Sequence, residues 1–371
     1  PANSAPAAQT STTTIAVLYG GQSTEHSVSC ISAGAIIDNL DPNRYTVVPI
    51  GITESGAWVP GETDTSKLRA HGRELPTVTD PGEHVQPSFG LDGGQRAEFR
   101  FITGPRAGEL FASVDVVFPV LHGLNGEDGT IQGALDLVGV PYVGNGVLAS
   151  AAGMDKEYTK RLAREAGIPT GPEVVLYEDR DLTAEEQQKL GLPVFVKPAR
   201  GGSSIGISKV DSWEDFSEAS ALAFANDNKV IVEAMLHGEE VECGVLEYRD
   251  GSRIASVPAM LQGTEEGDEG FYGFDAKYLD DTVTAKIPAP LSAELTEEIR
   301  RLAIATFDAL GCQGLARVDF FVTDAGPVLN EINTMPGFTP ISMYPQMFLN
   351  SGLSYSCLLY TSDAADDTPC V

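Results

Sequence analysis

Arg317-Val318-Asp319-Phe320-Phe321-Val322-Thr323-Asp324-Ala325-Gly326-Pro327-Val328-Leu329-Asn330-Glu331-Ile332-Asn333 is the most informative stretch of the chain. Two apolar runs flank a glycine-containing turn, and this spacing predicts a β-hairpin. With the turn centred on Ala325, Asp319 faces Glu331 and Arg317 faces Asn333. Side chains alternate along a strand, so these four share one face with Phe321 and Leu329, while Val318 pairs with Ile332 on the other. A solvated face with one surface ion pair is the plain alternative, worth about 0–1 kcal/mol. Carboxylates on a partly apolar face are costly unless compensated. A hard divalent cation removes that cost, and Mg²⁺ takes few protein carboxylates plus substrate phosphates. Arg317 beside them can stabilise an oxyanion. Phosphate chemistry is the expectation.

Phosphate needs a cradle. Val194-Phe195-Val196-Lys197-Pro198 reads as a strand, and Arg200-Gly201-Gly202-Ser203-Ser204-Ile205-Gly206 follows it as a glycine/serine loop. Glycine lets backbone N–H groups approach an anion closely. The loop is neither GxxxxGK[ST] nor GxGxxG, and a linker is the commoner meaning of such a stretch. Lys197, at the end of an apolar strand, strengthens the phosphate reading as a point charge. Lys156 and Lys277 sit near glycine turns and apolar runs and add modestly to it.

The remaining chain bounds the function. Its 371 residues suggest two or three domains at roughly 150 residues each. Hydrophobic content of 42% is ordinary for a globular protein. Lys and Arg number 24 against 53 Asp and Glu, a formal charge of −29 that argues against nucleic-acid or anionic-membrane partners. Any anionic substrate therefore requires a local basic pocket. Five cysteines without a CxxC pair argue for a reducing compartment and against structural zinc. With no apolar run of about 18 residues, no membrane span is expected, and a cytoplasmic setting is.

Order is expected to begin at Ile15, with strands at 15–19 and 47–52 and a helix at 28–40. Residues 53–110 read as surface structure, and 114–120 as one continuous apolar strand. Strands alternating with helices indicate an α/β unit with a mainly parallel sheet, whose ligands bind beyond the strand ends. Further on, 147–166 reads as one helix, Ser212 with Asp215 as the start of a helix to Ala225, Asp250-Gly251 as a hairpin turn, and 293–310 as an amphipathic helix stopped by Gly311.

Together these segments resemble the D-alanine–D-alanine ligase family of ATP-grasp enzymes. The resemblance rests on Gly20-Gly21-Gln22-Ser23-Thr24-Glu25-His26-Ser27-Val28-Ser29, His122-Gly123 through Gly126-Glu127-Asp128-Gly129-Thr130, and Met154-Asp155-Lys156. It continues through Val196-Lys197-Pro198 with Gly202–Gly206, Ala276-Lys277-Tyr278, Ala316–Asp319, Asn330-Glu331-Ile332-Asn333-Thr334-Met335-Pro336-Gly337-Phe338-Thr339 and Ser342-Met343. It implies three domains (15–144, Rossmann-like; 145–232, central lid; 233–356, C-terminal), α+β in the second half, with ATP between the last two. Lys156, Lys197 and Ser204 would meet ATP phosphates, Glu233 and Leu236 the adenine, and Glu240 the ribose. Asp319, Glu331 and Asn333 would hold two Mg²⁺ (or Mn²⁺) ions. Glu25 would bind the ammonium of the first D-alanine, with His122 nearby. Lys277 and Ser342, with Met343 beside it, would take the carboxylate of the second. Arg317 and the Gly337 N–H would stabilise the tetrahedral intermediate. Ser203 and Tyr278 would join Glu25 in a set that orders the lid loop. A homodimer is also implied.

Residues 1–14 read as a flexible arm. After Ser356 the text Cys357-Leu358-Leu359-Tyr360-Thr361-Ser362-Asp363-Ala364-Ala365-Asp366-Asp367 departs from the family and resembles the translation of a sequencing-library adapter. Residues 357–371 are therefore expected to be an artefactual tail, with a natural polar tail as the alternative. The competing functions are a D-alanine–D-lactate ligase of the same fold and a truncated, non-catalytic ATP-binding protein.

Overall fold

The computed structural model describes residues 12–88, 96–202, 205–262, 284–339 and 341–362. The chain opens with β1 (Thr13–Gly20), two residues earlier than expected, then α1 (His26–Asn39), β2 (Tyr45–Ile52) and β3 (Trp58–Pro60). Next come β4 (Val85–Pro87), β5 (Ala97–Phe101), β6 (Leu110–Val114), β7 (Val116–Pro119) and α2 (Thr130–Val138). β2, β1 and β7 are parallel neighbours, with β3 antiparallel at the edge. The glycine turn and α1 therefore leave from the carboxyl end of β1, where a parallel sheet presents ligands.

Two expectations for this region fail. Residues 53–110 are not merely surface: β4, β5 and β6 form an antiparallel sheet. Alternation in Ala97-Glu98-Phe99-Arg100-Phe101 buries Ala97, Phe99 and Phe101 against the first sheet. The strand expected over 114–120 is two strands in different sheets. Asp115 separates them, because its carboxylate accepts the Thr14 N–H at 2.8 Å and pairs with Arg96 at 2.8 Å rather than entering the core.

The helix expected over 147–166 is likewise divided, into α3 (Val147–Met154) and α4 (Lys156–Glu165). Asp155 leaves the helical conformation and its side chain accepts the N–H groups of Glu157 and Tyr158, capping α4. It also pairs with the buried Lys229 at 2.5 Å, which reaches Glu157 at 3.0 Å. β8 (Glu173–Leu176), α5 (Ala184–Leu190), β9 (Val194–Pro198), β10 (Ser208–Val210), α6 (Phe216–Phe224) and β11 (Val230–Ala234) follow. Their strands make one antiparallel sheet in the order β10-β9-β11-β8.

The last part contains β12 (Glu239–Glu247), β13 (Arg253–Ala255), β14 (Ala259–Gln262), β15 (Thr284–Lys286), α7 (Ala293–Ala309), β16 (Leu315–Thr323), β17 (Gly326–Asn333), α8 (Met343–Asn350) and α9 (Tyr355–Ser362). The Asp250-Gly251 turn joins β12 to β13 as expected, with Val245 opposite Ala255. α7 buries Ile299, Leu302 and Phe307 in a core shared with Ala149, Ala152 and Ala163 of α3 and α4. Gly244 admits the rings of Tyr344 and Phe348: a Cβ there would lie 2.7 Å from Phe348. That close approach sets α8 across β12, with Ser342 at its amino end. Leu358 and Leu359 of α9 are buried in the core that contains α1 and α8 residues. Among the described residues no helix is long and apolar enough to cross a membrane.

Asp155→Ala removes both a helix cap and a partner of buried Lys229, so it is expected to destabilise the protein by roughly 2–4 kcal/mol. Urea unfolding monitored by circular dichroism measures the loss.

Candidate active site

The β16–β17 pair joins Thr323 to Gly326 through a two-residue turn, Asp324-Ala325. Continued without interruption, that turn would set Asp319 against Asn330. A bulge at Asp319/Phe320 instead absorbs Asn330, so Asp319 pairs with Glu331, Val318 with Ile332 and Arg317 with Asn333. The pairs expected from the sequence are thus recovered at the functional end. Phe321 keeps its expected company and lines the cleft with Arg317, Glu331 and Asn333, whereas the bulge sets Leu329 opposite the buried Phe320 in the core.

On the other side of β16, Glu242 of β12 lies opposite Asp319. Glu242, Asp319 and Glu331 therefore form a row of carboxylates across three strands. Arg317 bridges the row, donating from Nε to Asp319 Oδ1 at 2.8 Å and from Nη2 to Oδ2 at 2.7 Å, with Glu242 at 3.2 Å. Burial opposes its charge, but Asp319 and Glu242 hold the guanidinium well above its ordinary range. Asn333 Nδ2 donates to Asp319 Oδ2 at 3.0 Å. Among the described residues no three His, Cys, Asp or Glu groups form a ready metal site. The expected set is instead two carboxylates and an amide, hard oxygen donors of the kind Mg²⁺ takes.

A cleft of about 310 Å³ opens over this hairpin. Lys156, at the start of α4, is 3.6 Å from Glu331 and donates to Gly201 O at 2.8 Å. Lys197 of β9 meets Glu233 of β11 at 2.8 Å, and Lys160, one turn beyond Lys156, pairs with the same carboxylate. Burial, then the neighbouring Lys197 charge, pushes the Lys160 ammonium down to about 7. Leu236, Glu240, Met343, Gly337 and Ser342 also line the cleft. Leu236 packs against Gly171, where a Cβ would lie 3.3 Å away.

Glu25 closes one end of the cleft. A Cβ on Gly202 would be 3.2 Å from its Oε2, so the glycine loop passes directly over it. Ser203, Ser204, Lys277 and Tyr278 lie outside the described residues. His122 lines the same end, yet both its ring nitrogens meet protein atoms: Nδ1 is 3.1 Å from Met335 O and Nε2 3.0 Å from Ser32 Oγ. Ser342 Oγ accepts the Thr339 N–H at 3.0 Å and would lie 2.8 Å from a Cβ on Gly337.

Comparison with known proteins identifies the family. The family described as D-ala D-ala ligase N-terminus matches residues 14–145, and that described as D-ala D-ala ligase C-terminus matches 162–361. A D-alanine–D-alanine ligase of Corynebacterium jeikeium is 73% identical, with 94% of this chain and 95% of the relative covered. The chain belongs to the D-alanine–D-alanine ligase family. The ligase so named from Corynebacterium glutamicum (strain ATCC 13032) is 62% identical over 93% of this chain and 94% of its own. Among solved structures, the VanG D-Ala:D-Ser ligase from Enterococcus faecalis superposes with a TM-score of 0.78 at 36% identity, covering 95% of this chain and 98% of its own. The D-alanine–D-alanine ligase from Coxiella burnetii gives 0.78 at 34%, covering 95% and 92%. The ATP-grasp architecture is that of these neighbours.

Three cleft residues of this family member escaped the sequence reading: Lys160, Glu242 and Glu127. The first two were legible in spacing, since Lys160 follows Lys156 by one helical turn and Glu242 follows Glu240 on one strand face. Glu127 lay in a quoted motif but had no evident partner. Its carboxylate accepts the N–H of Gly123 at 2.7 Å and of Met335 at 3.1 Å, joining segments far apart in sequence. Burial, then the Glu25 charge, pushes this carboxyl up to about 8. A carboxyl raised above its unfolded value gives stability fully present below about pH 4 and lost as pH rises through about 8. Glu127→Gln is therefore expected to lose less stability than the parent between about pH 5 and about pH 8, as measured by urea unfolding at both.

Proposed function

We propose that this chain is an ATP-dependent ligase that joins two D-alanine molecules into D-alanyl-D-alanine, ADP and phosphate, for peptidoglycan precursor synthesis in the cytoplasm. The observation that carries this reading is the facing of charges across one cleft. Arg317 and the oxygen donors Asp319, Glu331 and Asn333 lie on the hairpin, and Lys156 and Lys197 lie opposite. In a chain of charge −29, the cleft gathers Lys156, Lys160, Lys197 and Arg317 among its carboxylates, cations that can meet the phosphates of a nucleotide.

A carboxylate and an amine do not condense in water at neutral pH, so the carboxylate must first be activated. A carboxylate oxygen of the first D-alanine takes the γ-phosphoryl group of ATP, and ADP leaves. The neutral amine of the second attacks the resulting acyl carbon, and phosphate departs with the C–O bond electrons. Lys156 and Lys197 position the phosphates, with Ser204 of the loop adding a contact. Phosphoryl transfer needs this placement and charge neutralisation above all. Glu233 aims both Lys197 and Lys160 and borders the adenine slot with Leu236, while Glu240 takes the ribose. Glu25 holds the ammonium of the first substrate, with His122 behind it. Ser342 and Lys277, beside Met343, hold the carboxylate of the second.

Arg317 and the Gly337 N–H receive the negative oxygen of the tetrahedral intermediate. The family resemblance gives Ser203 and Tyr278 a role with Glu25 in ordering the lid loop, which would exclude water from the acyl phosphate and assist loss of the amine proton. Glu242, Asp319 and Glu331 bring three negative charges against one guanidinium and one lysine, so the hairpin retains negative charge that divalent cations would balance. Two Mg²⁺ or Mn²⁺ ions held by Asp319, Glu331 and Asn333 would neutralise the nucleotide phosphates during transfer. The chain is expected to act as a homodimer.

D-alanine-dependent ADP release in the presence of Mg²⁺ tests the reading, and no release with D-alanine would refute it. Asp319→Asn is expected to lower kcat more than roughly 100-fold while a fluorescent adenine nucleotide still binds. Chelation should abolish ADP release, and added Mn²⁺ should restore it.

A further inference from the structure

One buried chain of hydrogen bonds connects the amino-terminal unit to the loop that carries Gly337. Met335 and Phe338 bracket that glycine. The Met335 N–H donates to Glu127 Oε1 at 3.1 Å, and Met335 O faces His122 Nδ1 at 3.1 Å. A carbonyl only accepts, so Nδ1 carries the proton and Nε2 of a neutral ring must accept. Ser32 Oγ, 3.0 Å away, is therefore the donor to Nε2, and its own oxygen accepts the Phe338 N–H at 3.3 Å. Ser32 is completely buried, as is Phe338, and His122 nearly so. Phe338 is fixed from its other side as well: its carbonyl accepts the Tyr355 hydroxyl at 2.6 Å, and its ring meets Phe118 edge-on at 6.0 Å.

We propose that Ser32, His122 and Glu127 are positioning residues that hold the Met335–Phe338 segment at both ends and so aim the Gly337 N–H at the developing oxyanion. This rests on the role given to Gly337 above. The donor belongs to the carboxy-terminal part of the chain, but its direction is set from the amino-terminal part, by groups on α1 and on the segment after β7. His122 is thus committed to the loop through both nitrogens rather than to a substrate charge. Burial, the largest influence on its ring, lowers its pKa and keeps it neutral, as the directional chain requires. Glycine is needed at 337 because a Cβ would collide with Ser342 Oγ, so the loop cannot be stiffened by its own side chain there.

Ser32→Ala tests the proposal with little steric change, since it removes one oxygen and leaves a strong helix former in α1. It is expected to lower kcat for D-alanine-dependent ADP release roughly 10–100-fold, less than deleting an oxyanion donor outright. Affinity for a phosphinate dipeptide mimic of the tetrahedral intermediate should fall by a similar factor, whereas KM for ATP stays within about twofold. Glu127→Gln, which keeps the side-chain size, should show the same pattern more weakly. Unchanged kcat in both variants, or a loss carried by KM for ATP with phosphinate binding intact, would overturn the positioning role. If instead the parent protein itself releases no ADP with D-alanine, the assignment of Gly337 fails first, and that result is distinct from either variant outcome.

Discussion

Three carboxylates on adjacent strands, Glu242, Asp319 and Glu331, constrain everything built around them. Directly opposed residues in a sheet lie about 5 Å apart, and at an effective dielectric of 20 each like-charge contact costs roughly 3 kcal/mol. Arg317 is inserted against this repulsion, touching two of the three, and Lys156 reaches the third from another part of the chain. The cleft therefore forms where cations are brought to anions that cannot disperse. In a protein so acidic, that concentration of basic groups is also the means of admitting a phosphate-bearing substrate.

Backbone breaks place those groups. The bulge beside Asp319 returns the acidic pair to register, and Asp155 ends α3 so that α4 can start at Lys156. Both devices trade regular structure for a side chain held at the cleft wall. Ion pairs then stiffen the lysines: Glu233 serves Lys197 and Lys160 together, and Lys229 holds Asp155 and Glu157 behind the helix start. The absence of side chains matters equally at Gly244, which lets α8 lie close enough for Ser342 to reach the site.

Much of the fold was legible because regular periodicity survives packing. The hairpin of β16 and β17, the Asp250-Gly251 turn, α7 with its apolar stripe and the parallel start of the chain all follow from alternation, turn chemistry or helical spacing. Two of the failures share one cause. Asp115 and Asp155 each interrupt an apolar or helical run, and a charged residue that finds distant partners redirects the chain in a way that local propensity does not record. The β5 alternation was present in the text but hidden by the charge and glycine around it.

For the site, residue types and order brought forward Asp319, Glu331, Asn333 and Arg317, because carboxylates on a partly apolar strand face need compensation, and Lys197, because it ends an apolar strand before a glycine loop. Motif likeness then supplied Glu25, Gly337 and Ser342. What the linear text could not contain was direction. Whether His122 faces a ligand or a loop, which carboxylate Lys160 meets, and what Glu127 accepts depend on partners more than 70 residues away. Covalent sequence sets the chemistry a side chain can perform, but hydrogen-bond and ion-pair geometry arises only when separate sheets close on one another, and that step belongs to the tertiary structure.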